Sequence, residues 1–108
     1  MKLKNCVPNE QRVIEHLRRD QEFAEIFLQD SIDCLNDPHA SKAEHEVSLE
    51  SLGYIAEAYG GLSKIAKKAG VSREALAKAF APGGDPTLRM LVALRGAIGE
   101  HVAMPKAA

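Results

Sequence analysis

The sequence predicts an all-α fold, a compact domain of five or six helices. Three observations carry that expectation. Apolar residues recur at three- and four-residue steps, capping residues and glycines punctuate those runs, and no stretch alternates apolar and polar residues as a half-buried strand would. A chain of 108 residues has room for one modest core. With 45% apolar residues but only three Phe and two Tyr, that core must be aliphatic. No run reaches the roughly 18 apolar residues of a membrane span, and residues 1–19 lack the apolar centre of a secretion signal, so a cytoplasmic location is expected. Cys6 and Cys34 form no paired motif and are expected as free thiols.

Taken in order, residues 1–19 hold a short helical run around Val13, Ile14 and Leu17. Asp20 can cap a helix to about Asn36, with Phe23, Ala24, Ile26, Phe27, Leu28, Ile32 and Leu35 as its apolar face. Asn36-Asp37-Pro38 stops it. The next helix begins at Pro38 or after Ser41, whose spacing to Glu44 fits a capping box, and Leu49, Leu52, Ala56 and Tyr59 share one face. Gly60-Gly61 ends that helix. The last helix is expected from Asp85-Pro86, N-cap and first helical position, to Gly99, with Met104 to Ala108 loose.

Charge is segregated along this order. Within a net charge of −1, residues 1–19 carry +3, residues 20–61 carry −9 and residues 62–108 carry +5. Either run could be only a solvated face, but the asymmetry also suits two partners, a polyanion for the basic half and a basic protein for the acidic centre.

Between the acidic centre and the last helix lies "GLSKIAKKAGVSREALAKAF", Gly61 to Phe80. Leu62 to Ala69 and Ser72 to Phe80 each make a short helix, so Gly70 and Val71 form the corner. Glycine suits the residue leaving the first helix because positive φ penalises a Cβ. Ala66 allows close crossing, Val71 turns inward, Leu76 plugs the shared core and Ser72 caps the second helix. These spacings are those of a helix-turn-helix, whose second helix enters the DNA major groove.

At 100° per residue, Ser72, Ala75, Leu76 and Ala79 fall inward, while Arg73, Glu74, Ala77, Lys78 and Ala81 fall outward. Arg73 suits guanine, Glu74 a cytosine amino group and the Ala77 methyl a thymine. Lys64, Lys67, Lys68 and Lys78 suit phosphates, giving affinity without sequence information. The candidate DNA-binding residues are therefore Ser63, Lys64, Lys67, Ser72, Arg73, Glu74, Ala77 and Lys78. A structural helical hairpin with solubilising lysines is the competing reading.

The stretch from Gly61 to Gly99 also resembles the addiction-module antidote family, HigA-like antitoxins within the phage-repressor-like (Xre-type) helix-turn-helix superfamily. The resemblance rests on Ile65-Ala66, Ser72-Arg73-Glu74-Ala75-Leu76, Pro82-Gly83-Gly84-Asp85-Pro86 and Leu91-Val92-Ala93-Leu94. It is good over 60–99, weaker over 20–59 and absent over 1–19. It implies a lambda-repressor-like helix-turn-helix and an antitoxin that binds a small basic RelE-like or HigB-like toxin and represses its own promoter. Two departures stand out: Ala77 replaces a tyrosine common in the family, and residues 39–46 look longer than usual.

The expected division is an N-terminal extension 1–19, an acidic helical segment 20–47 that could bind the partner, a DNA-binding domain 48–100 and a tail 101–108. A homodimer is expected, with Met90, Leu94, Ala97, Val102 and Met104 as candidate interface residues that could equally be core, and the N-terminal helix as a rival. No metal or other cofactor is expected, since Cys34, His39 and His45 lack paired ligand spacing. His16 and His101 are read as exposed. No nucleophile, base and acid can be assembled, so an enzyme is not expected. Two alternatives remain: a free-standing phage-type repressor, or an interaction module whose helix-turn-helix no longer binds DNA.

Overall fold

In a computed structural model, the backbone is described for residues 2–107 and the side chains for 10–100. Six helices make up the described residues: α1 (Lys2–Arg19), α2 (Gln21–Leu35), α3 (Lys42–Ala58), α4 (Gly61–Ala69), α5 (Arg73–Ala79) and α6 (Leu88–Ala107). No strand occurs among them.

The boundaries follow from local chemistry. The Asp20 carboxylate accepts from the Phe23 N–H at 3.0 Å and opens α2. Ser41 and Glu44 close a reciprocal capping box at the head of α3, with bonds of 3.1 and 2.8 Å. Gly60 and Gly61, at φ 122° and 90°, turn the chain from α3 into α4 through conformations that a side chain would oppose.

Leu17, Leu28, Leu52, Ile55, Ile65, Leu76, Leu94 and Ile98 form the fully buried aliphatic centre. Helix α3 lies against α1, α2 and α4, and α6 lies against α4 and α2. The Tyr59 hydroxyl at the end of α3 donates to the Leu17 carbonyl at the end of α1. Beside it the Arg18 guanidinium donates to the Ala58 carbonyl at 3.3 Å. Residues 2–19, expected to hold only a short helical run, thus form an 18-residue helix with Leu17 in the core.

Several expectations are corrected. Helix α6 begins at Leu88, because the Thr87 hydroxyl, and not Asp85, accepts from the N–H three residues on, that of Met90 at 3.3 Å. It continues through Gly99 to Ala107, since a glycine inside a helix costs only about 1 kcal/mol and need not stop it. The tail expected as loose is therefore helical to residue 107. Ile26, placed on the apolar face of α2, is 57% exposed. His16 is exposed but stacks on Phe23 at a ring separation of 3.9 Å. Met90, Leu94 and Ala97, candidate interface residues, are 5%, 0% and 3% exposed because α4 covers that face of α6. Val102 and Met104, together with Cys6 and His101, lie outside the described side chains.

Candidate nucleic-acid interface

The site begins at the α4–α5 corner. Gly70 sits at φ 73°, in the left-handed region. Its N–H and that of Val71 return to the carbonyls of Lys67 and Ala66 at 3.2 and 3.0 Å. The Ser72 hydroxyl then accepts from the Ala75 N–H at 3.0 Å and starts α5. Ala66 is nearly buried and Leu76 fully buried beneath the corner. Each residue assigned to the corner thus serves the local need that its chemistry suggests, and the pair is consistent with a small helix-turn-helix domain.

Around that corner Ser63, Lys64, Lys67, Ser72, Arg73, Glu74 and Lys78 are all exposed. Among the described residues no salt bridge engages Lys64, Lys67, Arg73 or Lys78. Lys64 lies with its aliphatic stem over Gly60, where a Cβ would meet its Cδ at 2.4 Å. Lys68 is different. Its ammonium pairs with Glu100 on α6, and that hydrogen bond holds the Glu100 carboxyl below its usual range. A lysine already paired on its own surface is a poorer phosphate ligand than its neighbours.

Helix α5 is rotated from the expected projection. Ala75, placed inward, is exposed, while Ala77, placed outward, is half-buried. The cause is Phe80, which is only 8% exposed. Phe80 lies about 40° from Leu76 around the helix, on the side opposite Ala75, and its burial turns the packed arc toward Ala77. The Ala77 methyl accordingly lines a cavity with Ile14, Tyr54 and Leu62.

Sequence reasoning missed Arg89. This exposed residue on the first turn of α6 brings its guanidinium to 3.9 Å from the position of a Cβ on Gly70, adding a cation to the corner. Arg89 contributes to the +5 of residues 62–108, but no local periodicity connects it with a corner 19 positions earlier.

The all-helical fold and the glycine corner are consistent with a small helix-turn-helix-type domain. Residues 14–106 match the family described as "Probable addiction module antidote protein", and the chain belongs to that family. The match begins at Ile14 and so extends into the segment 1–19, where no resemblance is expected from the sequence motifs. No curated protein and no solved structure matches the chain. Family membership indicates an antitoxin role and a toxin partner of some kind. No helix among the described residues is long and apolar enough to cross a membrane.

Proposed function

We propose that this chain is a DNA-binding antitoxin that neutralises a small basic RelE-like or HigB-like toxin and represses its own operon by binding its promoter. The observation that carries the DNA half is the row of exposed side chains Lys64, Lys67, Arg73, Glu74 and Lys78 around a glycine corner, none held by an intramolecular ion pair among the described residues. Arg73 and Glu74 near the start of α5 suit base edges, while Lys64, Lys67, Lys78 and Arg89 suit phosphates. Ser63 and Ser72 add hydroxyl donors at the heads of the two helices. Ala77 contributes through packing, since its methyl is turned toward α1 and α3. The acidic stretch 20–61, at −9, supports a basic partner on a separate surface.

The reading includes a homodimer, because two half-sites one DNA turn apart, about 34 Å, strengthen a weak single contact. Leu88 and Val92, 75% and 60% exposed on α6, support an interface there. They share a shallow cavity with Ile32 of α2 and Pro86.

Two assays in cells test the proposal. Expression of the chain should silence a reporter driven by its own upstream DNA, and Arg73→Ala with Lys78→Ala should relieve that silencing. It should also restore growth of cells arrested by the product of the adjoining reading frame. A reporter indifferent to the chain overturns the DNA half, and unrelieved growth arrest overturns the toxin half.

A further inference from the structure

Helix α3 carries a face on which Ala43, Val47, Glu50 and Glu57 are exposed. From Ala43 it passes to the adjacent pair Glu46 and Val47, and then at three- and four-residue steps to Glu50, Tyr54 and Glu57. From residue 43 to 57 that face runs about 21 Å. Two cavities lie end to end upon it. One, of 420 Å³, is floored by Val47, Phe80 and Pro82, and the other, of 350 Å³, by Ile14, Tyr54, Leu62 and Ala77. Glu50 and Phe80 line both, so the two form one groove.

The groove has a floor and edges of opposite character. Val47, 61% exposed, is one of four large hydrophobic side chains left open to solvent among the described residues. Glu10, Glu46, Glu50 and Glu57 stand along the edges, and neither cavity is lined by a lysine or arginine. The local field is strong enough to act on a neighbour. Tyr54's hydroxyl is pushed up to about 12, first by burial and then by the Glu50 and Glu10 carboxylates.

We propose that this groove, between α3 and the Ala77–Phe80 side of α5, is the docking site for a basic amphipathic helix of the toxin partner. An apolar row on that helix would cover Val47, Phe80 and Tyr54, and Lys or Arg residues would face Glu46, Glu50 and Glu57. Charge complementarity selects this occupant. A second copy seated groove to groove on a two-fold axis would bring two sets of carboxylates together, whereas the Lys or Arg face of a partner helix would neutralise them. The proposal rests on the antitoxin reading and assigns its partner a surface.

The test uses the full chain and the purified protein encoded by the adjoining reading frame. Glu50→Gln with Glu57→Gln should weaken binding at least tenfold and reduce its salt dependence. Val47→Asp should weaken it comparably by spoiling the floor. Glu15→Gln with Asp85→Asn removes two exposed charges elsewhere and should leave affinity within about twofold. Retained circular dichroism and DNA binding in each variant establish that it is folded. Undiminished binding by both groove variants, or an equal loss in the Glu15/Asp85 variant, overturns the groove and leaves the antitoxin reading standing. Failure of the native chain to bind overturns both.

Discussion

Gly84 lies against the end of α5 so closely that a Cβ added to it would stand 2.2 Å from the Ala79 carbonyl oxygen. The Lys78 carbonyl oxygen is nearly as near, at 2.5 Å. Both obstacles are backbone, so neither can move without shifting the helix that carries Arg73 and Lys78. The Gly84 N–H meanwhile donates to the Ala81 carbonyl at 2.8 Å, folding the loop back on α5. This close approach fixes where α5 ends and how the chain leaves it.

Gly84→Ala is therefore expected to destabilise the fold by about 1–3 kcal/mol, as overpacking does. Gly96→Ala, where nothing lies within 4 Å of the new methyl, should stabilise α6 by about 0.5–1 kcal/mol. Urea unfolding of the two variants beside the native chain checks the pair. Equal effects would contradict the close packing of Gly84.

Removal of Arg73 should cost DNA affinity about 1–3 kcal/mol and relax preference at one base pair. Lys67→Ala should weaken all sequences evenly and lower the salt slope by about one. Lys68→Ala should do less, because its ammonium already pairs with Glu100. Binding isotherms on matched duplexes at several salt concentrations separate these outcomes, and an equal effect of the two lysines would contradict the assignment.

Leu88→Lys with Val92→Glu should convert a dimer to a monomer without loss of fold, since both side chains are mostly exposed. Light scattering after size exclusion reads the mass directly. A dimer that survives the double variant would move the interface elsewhere.

Burial raises the Tyr54 hydroxyl to about 12 from its ordinary 10.0. The folded chain then holds that proton more tightly than the unfolded chain. Its contribution to stability is complete below pH 10 and is lost as pH rises toward 12. Urea midpoints at pH 9 and pH 11 should fall more for the native chain than for Tyr54→Phe. Tyr59, also raised by burial, keeps part of the decline in both.

What the sequence disclosed was mostly local. Asp20, Ser41 and Ser72 cap helices with their own side chains, and Gly70 turns by its own φ, so each was readable within four residues. The misplacements have tertiary causes. Ala75 and Ala77 exchanged sides because Phe80 is buried, which no period of 3.6 residues encodes. Met90, Leu94 and Ala97 stood open between interface and core, and the packing of α4 against α6 decides for core. Arg89 and the α3 groove are assembled from segments far apart in the chain, so no local pattern could mark them.

Whether α5 reads DNA is settled by fluorescence anisotropy. The purified chain would be titrated against its own upstream duplex and an unrelated one at two salt concentrations. If α5 reads DNA, the upstream duplex is preferred by about 10³-fold or more, and the preference weakens as salt rises. Equal and weak binding to both duplexes would contradict it.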